Sequence, residues 1–176
     1  MRRGRAETIA VIASLLITAL AVGCGDNGGD APEGLVSSDS CSSGLVWEGG
    51  SQGSALMHPG GDCMGCHSSN DDAPSFAIAG TVYLDEQADD DCAGVEGAIV
   101  VVEDDEGQVL ELPTNRAGNF FARDADVDLS MPLQVKVRYE GNEKVMQEPL
   151  YSGNCYNCHS GQDAVRAPAR VLAPAP

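Results

Sequence analysis

The sequence predicts an all-β fold, a small antiparallel sandwich with little helix. Short apolar segments rich in β-branched residues recur between residues 76 and 150, and clusters of Gly, Asp and Asn separate them. No stretch beyond the N-terminal apolar run shows the spacing of an amphipathic helix.

The elements follow in chain order. Ile78, Gly80, Val82 and Leu84 alternate with Ala79, Thr81 and Tyr83, the period of a strand. Val95 to Glu103 is an apolar run, and Asp104-Asp105-Glu106-Gly107 is a turn. Val109 to Leu112 forms the next strand, Asn115 to Asn119 the next turn, and Phe120-Phe121 opens another strand. Val135, Val137 and Tyr139 alternate with Gln134, Lys136 and Arg138, which reads as a half-buried strand, and Lys144 to Leu150 supplies a last one. Six antiparallel strands return the chain to the pole where it entered, so the segments flanking the sandwich are expected side by side.

The flanks differ in character. Arg2, Arg3 and Arg5 precede an uncharged run from Ile9 to Val22, too short to span a bilayer comfortably and ending in small residues, which reads as a signal peptide over residues 1–23. Residues 24–56, rich in Gly, Ser and Asp, read as a flexible tether, with Leu45-Val46-Trp47 as an apolar island that docks on the folded part. Residues 57–72 form a loop, 73–150 the sandwich, and 151–176 a final segment ending in an extended Ala/Pro/Arg tail. Without residues 1–23 the chain keeps 7 basic and 26 acidic side chains. Such acidity repels nucleic-acid phosphates and suits a basic protein face. The acidic runs Asp85 to Asp91 and Asp104 to Glu106 lack the spacing of a calcium loop and read as solvated turns.

Seven cysteines carry the chemistry. Four stand in two C-x-x-C-H motifs, Cys63-Met64-Gly65-Cys66-His67 and Cys155-Tyr156-Asn157-Cys158-His159. This spacing offers two thiols that can each add to a haem vinyl group and an imidazole at the right offset for the iron, so it predicts two covalent haems c with His67 and His159 as axial ligands. Two of the chain's three histidines occupy the motif position. The same four cysteines also admit a single zinc site with four thiolate ligands, local disulfides or redox dithiols. Cys41 and Cys92 remain as a pair for a disulfide in an oxidising compartment.

Sixth ligands are scarce. His58 is the one spare histidine, and because the motif loop already occupies one face of its own haem, His58 is expected to reach the other haem. Met57, Met131 and Met146 are thioether candidates. Arg116, Arg166 and Arg170 are candidate partners for haem propionates.

Three resemblances sharpen these readings. Ala21-Val22-Gly23 before Cys24 looks like a bacterial lipobox, although Ala21 stands where that motif prefers Leu. It implies lipidation at Cys24, and Gly25-Asp26 lean towards the outer membrane, on a periplasmic or cell-surface face. Gly80-Thr81-Val82-Tyr83, Gly94 to Ala98, Asp105-Glu106-Gly107, and Thr114-Asn115 with Gly118 and Phe120 resemble the carboxypeptidase regulatory-like (prealbumin-like) sandwich. That resemblance implies an Ig-like arrangement of strands and no activity. The two C-x-x-C-H motifs resemble those of small multihaem c-type cytochromes. The chain departs from the cytochrome c fold, because only 17 residues follow His159 and none is Met.

Together these features predict a membrane-anchored, exported di-haem electron carrier, not an enzyme, with a redox protein as partner. The alternative is a non-redox binding or structural lipoprotein held by zinc or disulfides. A haem enzyme or gas sensor with an open iron ranks third, since no other catalytic constellation is present.

Overall fold

The computed structural model describes residues 54–86, 93–160 and 170–175. The signal peptide, Cys24, Cys41, the Trp47 island, Cys92, Arg166 and most of the tether lie outside the described residues.

The described chain is an all-β sandwich. Strands β1 (Phe76–Tyr83), β2 (Ile99–Glu103), β3 (Val109–Pro113), β4 (Asn119–Arg123), β5 (Gln134–Tyr139), β6 (Asn142–Val145) and β7 (Val171–Leu172) form two sheets, ordered β4-β1-β7 and β3-β2-β5-β6. Two short helices, α1 (Cys63–Ser68) and α2 (Tyr156–His159), coincide with the two C-x-x-C-H motifs.

Alternation sets the core. Ile78 and Val82 of β1 meet Phe120 and Ala122 of β4, Val100 and Val102 of β2, Leu133, and Val135 and Val137 of β5. Each strand contributes the residues of one face, as a period of two requires. The turn glycines behave as expected at Gly107 and Gly118, which take φ of +81° and +78°. Gly80 and Gly94 serve closeness instead: a β-carbon on Gly80 would lie 2.9 Å from the Phe120 ring and 3.0 Å from Cys155 Cβ.

Two differences from the sequence reading have physical causes. Val95 to Ala98 does not extend β2, because Gly97 turns the chain there with φ +81°. The second hairpin closes early, so the last strand begins at Asn142 and the chain beyond Val145 pairs only through a bridge between Leu133 and Leu150. The tail adds a seventh strand, β7, parallel to β1, with Ala173 N–H donating to Tyr83 O at 2.8 Å and the Arg170 guanidinium over the Tyr83 ring at 4.5 Å.

β1 is buried on both faces from Ile78 to Tyr83. Its core face is accounted for by the residues just named. Part of its other face is covered by the segment before β1, and its free edge at Ala79 is taken by the segment after Leu150: Ala79 N–H donates to Gly153 O at 3.1 Å and Cys155 N–H donates to Ala79 O at 3.3 Å. Both flanking segments therefore converge on one strand.

Candidate functional site

The first motif is mounted by its cap. Asp62 Oδ1 accepts from Gly65 N–H at 2.8 Å, satisfying a donor at the start of α1. Gly65 is needed there, since a β-carbon would collide with the Asp62 carboxylate. At the second motif Asn154 Oδ1 accepts from Tyr156 N–H at 3.1 Å. The residues immediately preceding the two motifs then bond to each other: Asn154 Nδ2 donates to Asp62 Oδ1 at 2.8 Å. The two C-x-x-C-H segments are thus clasped side by side, the juxtaposition expected from the strand count.

Each motif borders its own apolar cavity. The first, of about 580 Å³, is lined by Cys63, Cys66 and His67, by Phe76 and Phe121 on the strands beneath, and by Met57 and His58. The second, of about 620 Å³, is lined by Cys155, Cys158 and His159, by Val135, Val137 and Leu150, and by Met146. Both fall within the usual size of cofactor pockets. Phe120 lines both cavities.

His67 is held through its ring. Its Nδ1 lies 2.8 Å from Pro74 O, and because a carbonyl can only accept, this nitrogen carries the proton and Nε2 keeps its lone pair. The ring packs on Phe76 with centroids 4.4 Å apart, and Phe76 packs on Phe121 at 5.0 Å.

His58 sits on a loop bolted to the sheet. Gly60 N–H donates to Thr81 Oγ1 at 2.9 Å, Thr81 Oγ1 donates to Asn119 Oδ1 at 2.7 Å, and Asn119 Nδ2 donates to Met57 O at 2.9 Å. Thr81 and Asn119 are buried polar residues whose role is to hold this loop. His58 itself has φ +43°, the left-handed region that disfavours a residue with a β-carbon. Burial holds its imidazole below the usual histidine range. It lines the cavity of its own motif, and it is absent from the lining of the second cavity. The expectation that His58 reaches the other haem is therefore corrected: the loop is short and tied to Thr81 and Asn119 on both sides of His58, so it stays at the first cavity.

The thiols differ. Burial pushes the Cys63 thiol up to about 11, with the neighbouring Asp62 charge adding to the effect. Burial pushes Cys155 up to about 12, with lesser contributions from Cys63 and Cys158. Both stay protonated near neutral pH, which is the opposite of a redox-active thiolate. Cys63, Cys155 and Cys158 are free thiols, whereas Cys66 is disulfide-bonded. Among the described residues no group of three or more His, Cys, Asp or Glu side chains could hold a metal ion.

Other sequence candidates separate. Arg170 lines the second cavity, while Arg116 is exposed and lines neither. Met131 is 38% exposed and lines neither cavity. Arg123, on the last position of β4, lines the first cavity, and both lysines of the chain, Lys136 and Lys144, line the second. Sequence reading missed these three. Their period-two places on strands carried a signal for which face they occupy, but none for the cavity beside that face.

No helix among the described residues is long and apolar enough to cross a membrane. No family model, curated protein or solved structure matches the chain.

Proposed function

We propose that the chain is an exported, lipid-anchored carrier of two covalently attached c-type haems that works in electron transfer. The observation that carries this reading is that each C-x-x-C-H motif lies on the wall of its own apolar cavity of cofactor size, with the two motifs clasped together through Asp62 and Asn154. The residues fit the group: Cys63 and Cys66 with His67 would hold one haem, and Cys155 and Cys158 with His159 the other. When bound, haem supplies a one-electron couple.

The chain's own residues do the rest. Pro74 O holds the Nδ1 proton of neutral His67, so that Nε2 would be the nitrogen left to ligate the iron. Phe76 and Phe121 give that imidazole an apolar floor, and Val135, Val137 and Leu150 line the second cavity. Apolar walls exclude water and so limit the reorganisation that accompanies a change in charge. Arg123 at the first cavity, and Lys144 and Arg170 at the second, would be the candidates to meet propionates, Lys136 being paired with Glu143 at 3.0 Å. Lipid at Cys24 would hold the carrier at a membrane, and its acidity would favour a redox partner with a basic docking face.

One observation favours a second reading. The Cys66 disulfide is what a structural lipoprotein stapled by disulfides would show, and attachment at the first motif requires that sulfur to be released as a thiol first. Expression of the full chain with haem-maturation machinery, followed by haem staining of a reducing, denaturing gel, separates the two. Stain at the chain's position supports the haem reading. An unstained chain with oxidised cysteines or bound zinc overturns it.

A further inference from the structure

We infer that the two cavities are built for unlike axial pairs, with His58 joining His67 at the first and Met146 joining His159 at the second. This deepens the di-haem reading and rests on it. The first cavity is lined by two imidazoles, His67 and His58, whereas among the described residues His159 is the only histidine lining the second. The thioether lining the second is Met146.

The placement of each candidate is specific. His58 stands between Met57, whose carbonyl is held by Asn119, and Gly60, whose N–H is held by Thr81. Pro59 beside it is fully buried. These bonds offset the cost of a left-handed backbone at a residue with a β-carbon, a conformation that persists only where the surroundings enforce it. Met57 shares the cavity. Met146 follows β6 directly, its N–H donates to Val135 O at 2.9 Å, and its side chain packs against the core cluster. Its flexible, polarisable thioether is suited to reach an iron from that position.

The consequence is directional. A His/Met pair raises the reduction potential relative to a His/His pair. The charges around the second cavity largely offset one another, Lys136, Lys144 and Arg170 standing against Glu148 and against Glu143, which pairs with Lys136 at 3.0 Å, so the axial pair sets the order. With both haems bound, an electron entering at the first site would pass to the second, the first iron being oxidised as the second is reduced, with no proton required.

The test uses the full-length protein carrying both haems. Wild type is expected to show the methionine-to-iron charge-transfer band of the ferric state and two separate steps in a reductive titration. Met146→Leu, which keeps the side-chain volume, is expected to lose the band and to let the second site bind carbon monoxide. Met146→His is expected to lose the band and move the upper step down towards the lower one. His58→Ala is expected to keep the band and open the first site to carbon monoxide. A wild type with two covalent haems but no methionine band, or a band that survives Met146→Leu, overturns the inference while leaving the haem reading intact. Absence of covalent haem overturns that reading itself.

Discussion

At the scale of single residues, the informative groups are polar ones placed where apolar ones would pack more simply. Thr81 and Asn119 sit on the sheet face that supports the first motif, and their side chains are consumed by the His58 loop. Asn119→Ala would leave the Thr81 hydroxyl without its acceptor and Met57 O without its Asn119 donor, and a buried group left unpaired costs about 1–3 kcal/mol. Chemical denaturation is expected to show a loss of that size. If the proposed haem is bound there and Asn119 holds the His58 loop, the variant is also expected to open the first site to carbon monoxide. Little of this was legible in the sequence. The motif histidines announce themselves by spacing, but the proton on His67 Nδ1 is fixed by Pro74, whose carbonyl is reached only through a loop of no periodic pattern. The place of His58 escapes sequence reading for the same reason: its anchors lie 21 residues or more along the chain.

At the scale of elements, the strands were the legible part. β1, β2, β4 and β5 follow apolar alternation, because one face of each meets the core, and the Asp104 to Gly107 turn has the residues its geometry demands. Asp104 closes that turn. Desolvation by burial raises its carboxyl, but N–H groups donated by Ser130, Gln108, Glu106 and Gly107 outweigh this and hold it below the ordinary value of 3.8. A lowered folded value means that the carboxylate's contribution is present above the unfolded value and is lost as pH falls through the folded one. Acid unfolding monitored by circular dichroism should therefore show a component below pH 3.8 that Asp104→Ala removes, together with a lower Tm at neutral pH. The docking of residues 153–155 on the edge of β1 could not be read, since it joins segments far apart in sequence through a single bridge. Gly153 makes it possible: a β-carbon there would run into Ala77 O. Gly153→Ala is expected to cost about 1–3 kcal/mol, as overpacking does. It should also loosen the second motif, seen as faster hydrogen exchange at Cys155 and its neighbours.

At the scale of the whole molecule, the sandwich acts as a mount. Its smaller sheet carries both C-x-x-C-H segments on β1, one against its face and one along its edge, and Phe120 stands between the two cavities. The strands, not wrapped helices, supply the apolar walls beside both motifs. The overall charge is −17, and both lysines line the second cavity, where Glu148 also stands and Lys136 pairs with Glu143 at 3.0 Å. The measurement that tests the central claim most directly is the intact mass of the denatured, reduced chain after expression with haem-maturation machinery. The account predicts a mass increased by two haems, falling to one when Cys155 and Cys158 are both changed to Ala and to one when Cys63 and Cys66 are. A chain with no added haem under those conditions would contradict it.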